Sequence, residues 1–128
     1  MRLWSTAFLA ALALLTACGS AVDENGRLVE KPPSRTAADD LYYCAGLMIA
    51  ARERGEVEKW LGAGVSETDA LAARLEEEAK QTLRNSGQIR WEEDVRTARY
   101  RTARADLAIG LPGIPPEDCV ERGRALQP

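Results

Sequence analysis

The sequence predicts an all-α domain, a small bundle of about four helices, from three observations. Apolar side chains recur at steps of three and four, most cleanly at Leu71, Leu75, Ala79 and Leu83, which is the period of a helix with one face in a core. The segments that carry this period are separated by short breaks at Gly55, Gly62, Gly64, Asn85-Ser86-Gly87 and Gly110, where helices stop. No dependable alternation of the kind a half-buried strand needs is present, nor any internal repeat. At 128 residues the chain has room for one small domain and not two, and a single core of that size is only modestly stable.

The first helix signal starts at Thr36, where Asp39 stands three residues on and Asp40 adds a second negative charge to the first turn, both suited to a helix N-terminus. From Leu41 to Ala51 the sequence is apolar almost all round, with Tyr42, Tyr43, Cys44, Leu47, Met48 and Ile49. A helix without a polar face is surrounded by others, so this is expected to be the central one, ending at Arg52, Arg54 and Gly55. Its tyrosine pair is read as buried, with satisfied hydroxyls, rather than as a ligand platform.

Glu56 to Gly64 places Val57, Trp60 and Leu61 at helical steps and reads as a short helix, with Trp60 at the edge of the core. A second start follows at Val65, with Ser66 as the expected cap, Asp69 at its third position and Val65 placed to pack on Ala70. The stripe Leu71, Leu75, Ala79, Leu83 makes this the clearest amphipathic helix, stopped by Asn85-Ser86-Gly87. The next helix is expected from Gln88 to Ile109, facing inward through Trp91, Val95, Ala98, Thr102, Ala105 and Ile109, and folding back on its predecessor because the connection is short. Gly110 ends it, Leu111-Pro112-Gly113-Ile114-Pro115-Pro116 forms a stiff loop, and a last helix from Pro116 to Ala125 carries Cys119 and Val120 toward the core.

Ahead of the domain, Met1 and Arg2 precede a near-continuous apolar run from Leu3 to Leu15, shorter than the ~20 residues that span a bilayer, and so an export signal. Leu15-Thr16-Ala17-Cys18 resembles a lipobox, the cleavage and lipid-attachment signal of bacterial lipoproteins. The resemblance covers the first two dozen residues. It implies that residues 1–17 are removed, that the Cys18 thiol is diacylated, and that Cys18 becomes the first residue, with its amino group often acylated as well. Several acyl chains make a durable anchor where one binds only marginally. In a cell with two membranes, Gly19 after the modified cysteine implies the outer membrane, facing the periplasm.

Residues 18–36 then form a lipidated flexible tether, polar and carrying Gly26 and Lys31-Pro32-Pro33-Ser34. Fully extended, it reaches roughly 60 Å. Within it, Arg27-Leu28-Val29-Glu30 is read as linker rather than as a short strand or a partner contact. The helical domain is expected over 37–128.

In the oxidising compartment that export implies, disulfides persist. With Cys18 acylated, Cys44 and Cys119 are the remaining cysteines and the expected staple, two buried free thiols being the alternative. Two distant cysteines without a histidine do not make a zinc set, and no cofactor is expected.

The mature chain carries a net charge of −4, which leaves no nucleic-acid footprint. The acidic runs Glu76-Glu77-Glu78 and Glu92-Glu93-Asp94 are read as solvated helix faces, since bundle metal sites generally add histidine ligands. Arg96, Arg99, Arg101 and Arg104 form a basic stretch and the candidate interaction surface, for a lipid headgroup or an acidic partner. A chain with no histidine, no Gly-rich phosphate loop and no Cys-x-x-Cys offers little to an enzyme reading. The expected function is therefore non-enzymatic: an interaction or accessory subunit held to the envelope through its N-terminal acyl chains, with an envelope protein as partner. The alternatives are a holdase-like periplasmic chaperone and, behind it, a small-ligand binder or an enzyme.

Overall fold

A computed structural model describes residues 30–126. The export signal, Cys18 and the tether up to residue 29 lie outside these residues. Among the described residues, five α-helices and one 3-10 turn follow in order: α1 Asp39–Glu53, α2 Val57–Leu61, α3 Val65–Asn85, the turn Ile89–Trp91, α4 Glu92–Ala108 and α5 Pro116–Ala125. No strand occurs among the described residues, and the domain is all-α, as the apolar periods imply.

Helix α1 is the centre of the bundle and touches each of the other four. Tyr42, Tyr43, Cys44, Ala45, Gly46, Leu47, Met48, Ala50 and Ala51 are all buried, covering every side of the helix. Its start is a turn in which the Thr36 hydroxyl donates to Asp39 Oδ1 at 2.7 Å and accepts the Ala38 N–H at 3.2 Å. Its end uses Gly55 at φ +68, a left-handed conformation that other residues adopt only with strain. That turn lets the Glu56 N–H reach back to the Ala51 carbonyl at 2.9 Å, and the same closure recurs after α3 and α4, where Gln88 reaches Leu83 and Leu111 reaches Asp106.

The buried stripe of α3 is the expected one: Leu71, Leu75, Ala79 and Leu83 are at most 2% exposed, joined by Thr68 and Ala72. The start of α3 is not. Val65 is already helical, the cap position is Gly64, and no side chain caps it, so Ser66 stands exposed inside the first turn. Thr68 does not cap it either, because its buried hydroxyl donates to the Gly64 carbonyl at 2.8 Å and leaves the first-turn N–H groups uncapped. Val65 remains 43% exposed and does not pack on Ala70, which is exposed too.

Helix α4 departs most from expectation. Ala98, Thr102, Ala105 and Ile109 face solvent, while Val95, Ala103 and Leu107 are buried and Glu92, Arg96, Arg99, Tyr100 and Asp106 are half-buried. The inward face is thus turned by roughly a third of a turn from the one the apolar count selects. The cause lies in α1. Its buried tyrosines need acceptors, and only this rotation brings α4's carboxylates to them while Ala103 and Tyr100 close over Gly46.

Two cores result. The larger joins all five helices around Leu47, Met48, Leu61, Leu71, Leu75 and Leu107, with Trp60 half-buried at its edge as expected. The smaller gathers Ala38, Tyr42, Ala79, Leu83 and Val95, with Trp91 against it. Cys44 and Cys119, both fully buried, form a disulfide between α1 and α5 with Cα atoms 5.1 Å apart. Gly123, one turn further along α5, lies flat against Leu71, and the Cβ of any other residue would come within 3.0 Å of it.

Two outcomes test this packing. The disulfide closes a separation of 75 residues, so the double variant Cys44→Ala/Cys119→Ala should lose about 2–5 kcal/mol in urea unfolding while keeping its helical spectrum. Unchanged stability would remove the staple from the account. A Cβ at Gly46 would meet Ala103 Cβ and Tyr100 Cδ1 at 3.0 Å and the Tyr100 backbone at 3.1 Å. Gly46→Ala should therefore destabilise by about 1–3 kcal/mol despite the gain in helix propensity, and a more stable variant would show that α4 does not approach this closely.

Candidate functional site

Every tyrosine of the chain donates its hydroxyl to a carboxylate on another helix: Tyr42 to Glu92 Oε1 at 3.2 Å, Tyr43 to Asp106 Oδ2 at 2.7 Å, and Tyr100 to Glu76 Oε1. Tyr42 and Tyr100 also meet edge to face, ring centres 6.2 Å apart. Each acidic run therefore commits one carboxylate to the interior, a departure from the solvated faces that the sequence predicts. Burial, followed by the charge of Glu92 and the bond to it, pushes the Tyr42 hydroxyl far above its ordinary range.

Tyr43 forms the floor of an open cleft of about 350 Å³ between the first half of α1, the outer part of α4 and the proline-rich loop. Its hydroxyl accepts the Gly113 N–H at 2.6 Å while donating to Asp106, so a single oxygen joins three parts of the chain. Burial and the Asp106 bond raise its pKa from 10.0 to about 12, with the Gly113 N–H acting against them. At neutral pH this group is a hydrogen-bond donor and not a base.

The cleft rim is of mixed charge. Arg35 and Arg99 stand beside Asp39, Asp40 and Asp106. Asp39 accepts from Thr36 and lies 3.9 Å from Arg99, whereas Asp40 is 3.6 Å from Arg122 of α5. The Arg99 Nε is buried without a hydrogen-bond partner among the described residues. No group of three or more candidate metal ligands occurs among them either. What the cleft offers is a set of opposed charges over a fixed hydroxyl, suited to a polar surface laid across it.

Of the residues singled out from sequence, Cys44 and Cys119 are brought together, and Cys18 lies outside the described residues. The four arginines of α4 do not share one face, because neighbouring residues on a helix point ~100° apart. Arg96 pairs with Glu92 at 3.3 Å, Arg99 with Asp39, and Arg104 with both oxygens of Glu53 at 3.1 and 3.2 Å. Arg101 alone of the four is without a partner among the described residues. Sequence reasoning missed Asp106, Gly113 and Arg35. The one available signal was the tyrosine pair in an apolar helix, which demands acceptors from elsewhere.

No family model, curated protein or solved structure matches the chain.

Tyr43→Phe should cost about 1–2 kcal/mol at neutral pH by stranding Asp106 and the Gly113 N–H. Because folding raises this hydroxyl's pKa to about 12, its contribution is complete below pH 10.0 and is lost as pH rises from there toward 12. Urea midpoints measured across that window should fall more steeply for the wild type than for Tyr43→Phe, and parallel slopes would contradict the assignment.

Proposed function

We propose that this protein is a lipid-anchored subunit of the bacterial envelope, held by acyl chains on Cys18 and acting through protein contact rather than catalysis. The observation that carries the reading is the buried Cys44–Cys119 disulfide. Such a bond persists in exported proteins and is rare in reducing compartments, and it leaves Cys18, within Leu15-Thr16-Ala17-Cys18, as the one remaining cysteine of three. The export run and the lipobox resemblance point to the same compartment independently. Gly19 favours the outer membrane, with the domain facing the periplasm.

The contact role is supported by the character of the surface. The clefts are open and lined by charges of both signs, and the two tyrosines buried in α1 are bound to carboxylates, so these groups hold the fold together. A subunit of an envelope assembly needs a stable outer surface, and a disulfide-stapled bundle on a tether of up to roughly 60 Å can present one away from the lipid. A holdase-like chaperone is the second reading. The exposed Ile109 and Leu111 at 69% and 70% favour it, as apolar groups that unfolded clients could meet.

Mass spectrometry of the intact chain extracted from membranes tests the anchor. The expected species begins at Cys18 and carries two or three acyl chains, while an unmodified chain starting elsewhere refutes the anchor. Crosslinking in living cells then separates the roles: a reproducible one-to-one partner is expected, and a broad set of clients would transfer the case to the chaperone.

A further inference from the structure

The charges of α4 divide into two groups. Glu92, Arg96, Arg99, Arg104 and Asp106 all have partners within the molecule. Glu93, Asp94 and Arg101, all exposed, have none among the described residues. Two of these three share a line along the outward face, where Asp94, Ala98, Arg101 and Ala105 follow at steps of four, three and four, every one exposed. That is the seam spacing of paired helices, and it runs opposite to the face that packs on α1. At its far end stand Ile109 and Leu111, the two most exposed large apolar residues of the domain.

We propose that this outward face of α4 is a self-association surface that takes α4 of a second copy of the chain, antiparallel, across a two-fold axis close to Ala98. The argument is charge self-complementarity. Asp94 and Arg101 are seven residues, about 10 Å, apart along the helix. In an antiparallel pair the negative end of each stripe meets the positive end of the other, so one unpaired acid and one unpaired base become two symmetric ion pairs. A parallel pair would set like against like. Ala98 at the centre permits close approach of the two backbones, and Ala105 and Ile109 extend the contact on either side toward the 3-10 turn of the other copy, where Ile89 is 39% exposed. Helix α4 pairs five of its charges within the molecule and, Glu93 apart, leaves those that a copy of itself would satisfy.

A contact of one helix face falls at the low end of specific interfaces, below about 1,200 Å² in all. It is therefore weak in dilute solution. Confinement of both copies to one membrane surface raises their effective concentration, so occupancy, though not the surface itself, rests on the proposed anchor.

The full-length chain carrying Ala98→Cys is expressed, its membranes are oxidised, and the species of twice the chain mass is measured on a non-reducing gel. Arg101→Asp or Asp94→Arg, each added alone, should lower the yield about tenfold, since symmetry counts each reversed pair twice. The two together should restore it, with circular dichroism showing the same helix content in all four. Equal yields in all four chains, no crosslink in any, no rescue by the double reversal, or a product of another mass would each overturn the proposal, the last because a different molecule then occupies the face. Cys18→Ala in the same background separates the two claims. Loss of membrane association by that variant bears on the anchor alone, whereas a charge-dependent crosslink in its concentrated soluble form bears on the surface alone.

Discussion

The fold depends on giving two buried tyrosine hydroxyls their acceptors. Helix α1 is apolar on nearly every side, and enclosing it places Tyr42 and Tyr43 inside the bundle. A hydroxyl left there without a partner costs about 1–3 kcal/mol, and one bonded to a charged group contributes comparably. The difference between those outcomes is large against the total stability of a domain this small. It fixes how α4 is rotated, because Glu92 and Asp106 must point at α1. Tyr100 then turns toward α3 and finds Glu76. Three helices are keyed to one another by three bonds of one kind, while the exposed ion pairs around them are worth about 0–1 kcal/mol apiece.

The helices themselves were legible because periodicity and terminators agree over most of the chain. In α3 the stripe Leu71, Leu75, Ala79, Leu83 is both the apolar one and the buried one, and the glycine stops after α1, α3 and α4 coincide with left-handed turns. The rotation of α4 was not legible, because its inward face carries Glu92, Arg96, Arg99 and Asp106, so a count of apolar residues selects Ala98, Ala105 and Ile109 on the wrong side. Burial there follows the needs of a facing helix rather than local hydrophobicity. The start of α3 failed for a smaller reason: the helix begins one residue earlier, at Val65 after Gly64, so Ser66 lies inside the first turn and cannot cap it. The cleft was missed because its parts, from Arg35 to Ile114, lie far apart in the chain, with only the tyrosine pair to hint at it.

These features suit the lipid-anchored role proposed for the chain. The disulfide ties the central helix to the last one, which otherwise meets the bundle through short residues such as Val120 and Gly123. Inward charges serve the fold, and on α4 the charges without a partner among the described residues, Glu93, Asp94 and Arg101, are all exposed.

Hydrogen exchange on the intact chain, read by residue, tests the claim that α1 and its tyrosine bonds are the framework. The account predicts that amides from Tyr42 to Ala51 exchange most slowly of all, opening only when the whole domain unfolds. Faster exchange in α1 than in α3 or α4 would contradict it, placing the framework in the α3–α4 pair and making the tyrosine bonds a consequence of the packing rather than its cause.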